Sequence, residues 1–167
     1  MEWIAAACLI AAIGLLIGLS VIDLKVRLLP DKLVLPFALL GILFHITTKW
    51  QYLDVTGMLL GGLAGLGILY LIRMVANHIY KQDALGLGDV KLMGAAGLWL
   101  GFDMVMMALS VGAFAGLLHG IAVGLLSAYK TKTKPNFHCL QIPAGPGFAI
   151  GIVLVAVYMF QDFRPWE

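Results

Sequence analysis

The stretch "VKLMGAAGLWLGFDMVMMALSVGAFAGLLHGIAVGLLSA", residues 90–128, decides how this chain folds. Apart from Lys91, Asp103 and His119, it carries no ionisable side chain over 39 residues. As one continuous helix it would reach about 58 Å at 1.5 Å per residue, nearly twice the roughly 30 Å hydrocarbon core of a bilayer. It must therefore fold back on itself, and the reversal is predicted at Gly101-Phe102-Asp103. The stretch then supplies two spans, the fourth and fifth in chain order.

The rest of the chain has the same character. It is 62% hydrophobic and 12% charged, whereas a soluble domain is about 25% charged. A large core does not explain the deficit, because small domains have the most surface to solvate. Further spans are predicted from about Trp3 to Ile22, Leu33 to Thr48, Val55 to Ala76 and Ile142 to Phe160. The fold class is thus all-α: a polytopic membrane protein of about six transmembrane helices, forming one membrane-embedded domain over residues 1–167. Glu2 precedes the first apolar block and no Lys or Arg does, unlike a secretory signal, so that block reads as a retained span. Cys8 and Cys139 are far from any CxxC spacing, so neither zinc nor a disulfide framework is expected.

Charge orients the bundle. The loops after spans one, three and five hold nine basic residues: Lys25, Arg27, Lys32, Arg73, Lys81, Lys91, Lys130, Lys132 and Lys134. The other side holds two, Lys49 and Arg164. By the positive-inside rule these three loops are cytoplasmic and both termini lie outside. Glycines at small-xxx-small spacing (Gly14/Gly18, Gly57/Gly61/Gly65, Gly112/Gly116/Gly120) are expected to be helix-packing surfaces.

The acids are placed unevenly. Asp23 ends span one in "SVIDLKVRLLPD", and Asp89 begins span four in "GLGDVK". The topology puts both at the cytoplasmic end, where membrane-embedded acids commonly have a partner or a function. Each also has a plain reading. Asp89 suits a helix N-cap after glycines, and Asp23 suits a juxtamembrane charge beside Lys25 or Arg27. Asp31 after Pro30 resembles an N-cap for span two, and Asp83 a loop charge. Asp54, Asp103 and Asp162 fall on the outer side. Gly86 and Gly88 make a poor phosphate loop, lacking a preceding strand and a Lys-Ser/Thr pair. Two carboxylates at one depth on different helices share a proton, one as base and one as acid, which is what activating water for peptide hydrolysis requires. The histidines compete poorly: His119 reads as a hydrogen-bonded packing residue, His45 lies near the outer end of span two, and His78 and His138 are loop residues.

"IDLKVRLLPDKLVLP" resembles the first aspartate motif of the type IV prepilin peptidases, a family of membrane aspartyl proteases. "LGLGDVKLMGAAGLWLG" is similar to their second, GxGD motif, and "IPAGPGFAIG" to the segment opening their last helix. The resemblance implies that Asp23 and Asp89 are the catalytic pair, with Gly86, Gly88 and Lys91 in the active-site loop. It further implies a plasma-membrane enzyme whose site faces the cytoplasm. Such an enzyme cuts leaders from pilin, pseudopilin or preflagellin precursors, typically after a Gly, without metal or other cofactor. Membrane lipid is then a partner and nucleic acid is not; substrate-binding residues are not assigned. Longer members carry paired CxxC motifs ahead of the first core span, linked to methylation; this sequence begins at that span, so N-methyltransferase activity is not expected. Two readings from other classes compete: a non-enzymatic component of a pilus or secretion assembly, and a small proton-coupled transporter relaying protons through the two acids.

Overall fold

The computed structural model describes residues 2–26, 28–81, 85–131 and 144–163. Arg27, Asp83, Lys132, Lys134, His138, Cys139, Ile142 and Arg164, which entered the reading above, lie outside the described residues. Five helices follow in order: α1 (Glu2–Val26), α2 (Asp31–Thr47), α3 (Val55–Tyr80), α4 (Leu87–Thr131) and α5 (Gly145–Met159). No strand occurs among the described residues. In lipid the backbone has to satisfy its own polar groups, and a helix does so within one segment. That demand does not stop where hydrophobicity stops: α1 runs on through Asp23 and Lys25, and α3 through His78.

α4 is 45 residues long, but Gly101 inside it has φ 75° and ψ −177°. A positive φ of this size is one that residues with a side chain rarely adopt, whereas glycine, lacking a Cβ, takes it readily. The break falls at the first residue of the predicted reversal. Packing gives the direction on each side. Before the break, α4 runs antiparallel to α3: Gly61 meets Gly97 and Gly101, and Gly65 meets Met93. After it, α4 runs antiparallel to α5: Gly151 meets Ala108, and Gly147 meets Gly112 and Gly116. The α5 start lies beside Asp23, so the second half of α4 returns toward the end that bears Asp89.

At the far end an aromatic cluster closes the bundle. The Phe44 ring lies against Tyr52, Trp99, Phe160 and Phe163. His45, fully buried, brings Nε2 to 3.0 Å from the Trp99 carbonyl. The last carbonyls before a helix break lack intrahelical donors, and the imidazole supplies one from a neighbouring helix. His45→Leu is expected to destabilise the bundle by about 1–3 kcal/mol, the cost of stranding a buried acceptor. Thermal melting in detergent checks this, and His45→Gln should recover part of the loss.

Three helices are long and apolar enough to cross a membrane by length and composition: Glu2–Val26, Val55–Tyr80 and the Leu87–Leu125 part of α4. α2 and α5, with 17 and 15 residues, are shorter. Large apolar side chains cover the outside, among them Ile17, Leu63, Leu117 and Val157. A surface of this kind belongs in lipid, and the chain is a membrane protein.

The glycine expectations divide. Gly61, Gly65 and Gly112 are packing surfaces: a methyl on Gly61 or Gly97 would overlap the facing backbone carbonyl. Gly14 and Gly18 are not, because a Cβ at either would meet nothing within 4 Å. Gly57 meets only Leu53 and Asp54, just ahead of its own helix. His119 is also corrected; it lies on an exposed face and makes no hydrogen bond among the described residues.

Candidate active site

Asp23 sits in the last turn of α1 and Asp89 in the first turn of α4. They are 66 positions apart in the chain, yet both are buried, at 4% and 6% exposure. They lie near enough for the charge on one to act on the other. Among buried polar side chains this is the only acidic pair in the described residues.

The two carboxylates have different surroundings. Gly145, the first residue of α5, donates its N–H to Asp23 Oδ2 at 3.0 Å. The N-terminus of a helix carries partial positive charge and unsatisfied N–H groups, so it is a seat for an anion. Gly145 has to be glycine here, because a Cβ would lie 2.7 Å from the same oxygen. The α1 end and the α5 start are thus fitted to one another through a carboxylate. Asp89 is held from below by its own loop. It is the third residue of α4, and Gly86 lies against its carboxylate, where a Cβ would sit 3.2 Å from Oδ2. That is the placement of a capping box's return half, in which the third residue satisfies the N-cap amide. Asp89 therefore reaches back to the helix start and is not itself the N-cap. Its Oδ1 is buried without a hydrogen-bond partner among the described residues. A buried oxygen left this way is costly unless a proton, water or substrate meets it.

Only Gly86 of the expected loop residues precedes the helix; Gly88 is in its first turn and Lys91 at the start of its second. Gly88 makes room for the α1–α2 connection, since a Cβ there would lie 2.6 Å from Leu29 Cβ. Lys91 points elsewhere. Its Nζ bonds both oxygens of Asp31, at 2.8 and 2.7 Å. Asp31 is accordingly not the N-cap of α2; Pro30 holds that place with no side-chain bond, and Asp31 follows it as a pairing residue. The N-cap overlooked in the sequence is Asp54, whose Oδ1 accepts from the Gly57 N–H at 2.9 Å. Its three-residue spacing ahead of an apolar run was the available signal.

Two further residues escaped the sequence reading. One is Gly145. The other is Arg73, whose Nε donates to the Leu85 carbonyl at 2.7 Å, one residue before Gly86. Arg73 thereby ties α3 to the loop that presents Asp89. For the activity proposed below, Arg73→Gln is expected to lower turnover about tenfold, since a hydrogen bond from a charged donor contributes about 1.5–3 kcal/mol. Lys91→Gln removes only an exposed pair, worth at most about 1 kcal/mol, and should change turnover less than about fivefold. Steady-state rates of the two variants side by side test the ranking. No group of His, Cys, Asp and Glu suited to a metal occurs among the described residues.

Fold and site together define a helical membrane protein with two buried carboxylates, carried by different helices, within electrostatic reach at one end of the bundle. The type IV leader peptidase family matches residues 9–121, and the chain belongs to that family. The chain is 33% identical over 141 residues to the prepilin leader peptidase/N-methyltransferase of Escherichia coli (strain K12), covering 84% of this chain and 58% of that protein. The protein of that name from Aeromonas salmonicida (strain A449) is 33% identical over 135 residues, covering 81% of this chain and 43% of the relative. That from Vibrio cholerae is 27% identical over 154 residues, 92% of this chain and 56% of the relative. The chain thus spans about half the length of the curated relatives it matches. No solved structure matches it.

Proposed function

We propose that this chain is a membrane aspartyl endopeptidase that removes the leader from type IV prepilin-like precursors, with Asp23 and Asp89 as its catalytic pair. The observation that carries this reading is the asymmetry of the two carboxylates. Asp23 is seated on the α5 N-terminus, whereas Asp89 keeps one buried oxygen without a partner among the described residues. Such a pair has distinct roles ready. Asp23 draws a proton from a water held between the carboxylates. Asp89 Oδ1 holds the shared proton and passes it to the scissile carbonyl as water adds. The tetrahedral carbon then collapses: the hydroxyl formed from the carbonyl returns its proton to Asp89, the leaving nitrogen takes the proton that Asp23 drew from the water, and the peptide bond is broken. The relatives' names supply the substrate class, and the family supplies the reaction.

In this reading the chain is one membrane-embedded domain of six spans, with α4 counted as two, in the inner membrane. Both termini face outward and the carboxylates face the cytoplasm. Single cysteines at positions 25 and 81, in a protein lacking Cys8 and Cys139, should be labelled only from the cytoplasmic side. Labelling at position 81 from outside would reverse the bundle. The precursor's apolar helix is recognised by packing against the helices. The Gly before its scissile bond leaves that backbone open to the pair.

The scaffold reading gives no reason for burying a carboxylate oxygen unpaired. The transporter reading needs a path, and at the end opposite the acids the aromatic rings around Phe44 pack against one another instead of supplying polar groups to carry one. Co-expression with a pilin precursor tests the proposal. The precursor should shift to its mature size with the wild-type chain, and persistence of the full-length precursor for every pilin-like protein tried would remove the peptidase reading.

A further inference from the structure

We propose that the cleft between α2 and α3 is a binding site for an anionic phospholipid. α3 packs on α4 and α2 on α1 and α4, but the backbones of α2 and α3 do not come within 8 Å of each other. The gap is a cleft of about 690 Å³, within the range of small-molecule sites. Its floor is made of Leu66 and Leu98, seated on Gly94 and Gly62, with Ala95 beside them, and its walls carry Leu35 and Leu63, 63% and 67% exposed. With both glycines covered by leucines, the cleft offers no small-residue surface for a partner helix, which is about 10 Å across and needs its small contacts at the surface. A thinner acyl chain can lie on such a floor.

The mouth selects the headgroup. Asp31, Lys32 and Lys91 line it at the end of the bundle that holds the carboxylates. Lys91 is matched by Asp31, while Lys32 makes no ion pair among the described residues. The mouth therefore carries one positive charge in excess, set where apolar side chains give way to polar ones. Basic pockets between membrane helices are seats for anionic headgroups. A zwitterionic lipid brings a second cation to the same place and gains less. The cleft is also separate from the candidate active site. Lys91 follows Asp89 by two residues and so points about 200° away around α4, toward α2 instead of toward α1 and α5. The inference rests on the chain being a membrane protein and does not require that it be a peptidase.

The test is native mass spectrometry of the full chain in detergent with equal amounts of dioleoylphosphatidylglycerol and dioleoylphosphatidylcholine. The glycerol lipid should be retained about fivefold better, the contribution of one lysine near a headgroup. Lys32→Gln should bring the two lipids to parity, whereas Lys25→Gln, on α1 outside the cleft, should leave the preference intact. Ala38→Phe, which fills the cleft from α2, should abolish retention of both; Leu63→Phe does so from α3 should the first variant fail to fold. Equal retention by the wild type would overturn the proposal, as would a preference that survives Lys32→Gln. Displacement of the lipid by a precursor helix or by a second copy of the chain would assign the cleft to a protein and overturn it as well.

Discussion

Asp23→Asn and Asp89→Asn are each expected to cut precursor processing by about 10⁴-fold, with no loss of protein from the membrane. Both changes keep side-chain volume, and both residues are buried, so packing is preserved. What is lost is proton transfer. Asn at position 23 still lies beside the Gly145 N–H but offers no basic oxygen to a water. Asn at position 89 holds no proton to give the carbonyl. General acid–base catalysis contributes about 10²–10⁴-fold for each group, and members of one catalytic unit are strongly non-additive. The double variant should therefore be no slower than either single one. Asp103→Asn, on the turn at the opposite end of the bundle, should process at the wild-type rate. Rates from gel-shift time courses decide the point, and a double variant much slower than both singles would mean that the acids act separately.

Gly145→Ala is expected to lower processing about 10²-fold while leaving the fold intact. A Cβ at this position would sit 2.7 Å from Asp23 Oδ2 and 3.0 Å from its Cγ. Neither carboxylate nor helix start can stay in place, and a displacement near 1 Å in a catalytic group costs on the order of 10²-fold. The loss should appear in kcat with KM little changed, because the group displaced is the proposed base and not part of the helix surface proposed to hold the precursor. Gly67→Ala is the matched control, as its Cβ would meet nothing within 4 Å. An unchanged rate in Gly145→Ala would show that the α5 contact with Asp23 is not needed for turnover.

Much of this could be read from the residues, and the remainder was hidden for one physical reason. The length of an apolar block against the bilayer put a reversal at Gly101, where the backbone breaks. The rarity of acids near apolar spans singled out Asp23 and Asp89, which the fold buries at one end. In a soluble protein an apolar stripe would also show which helix face turns inward. Here lipid and protein interior are equally apolar, so the stripe is missing. Gly14/Gly18 and Gly61/Gly65 look alike in the sequence, yet the first pair meets nothing and the second meets α4. The same blindness concealed partners that come from another helix. Gly145 under Asp23, Arg73 on Leu85, His45 on Trp99 and Lys91 on Asp31 all join residues remote in the chain. Asp54 is different, since its capping role was local and legible.

The central claim, that this chain by itself cleaves a leader with two aspartates, is tested most directly by reconstitution. The purified chain is placed in phospholipid vesicles with a purified pilin precursor, and the N-terminus of the product is sequenced. The account predicts one new N-terminus at the border of the precursor's apolar segment with wild-type protein, and none with Asp89→Asn. The same product from the Asp89→Asn protein would contradict it.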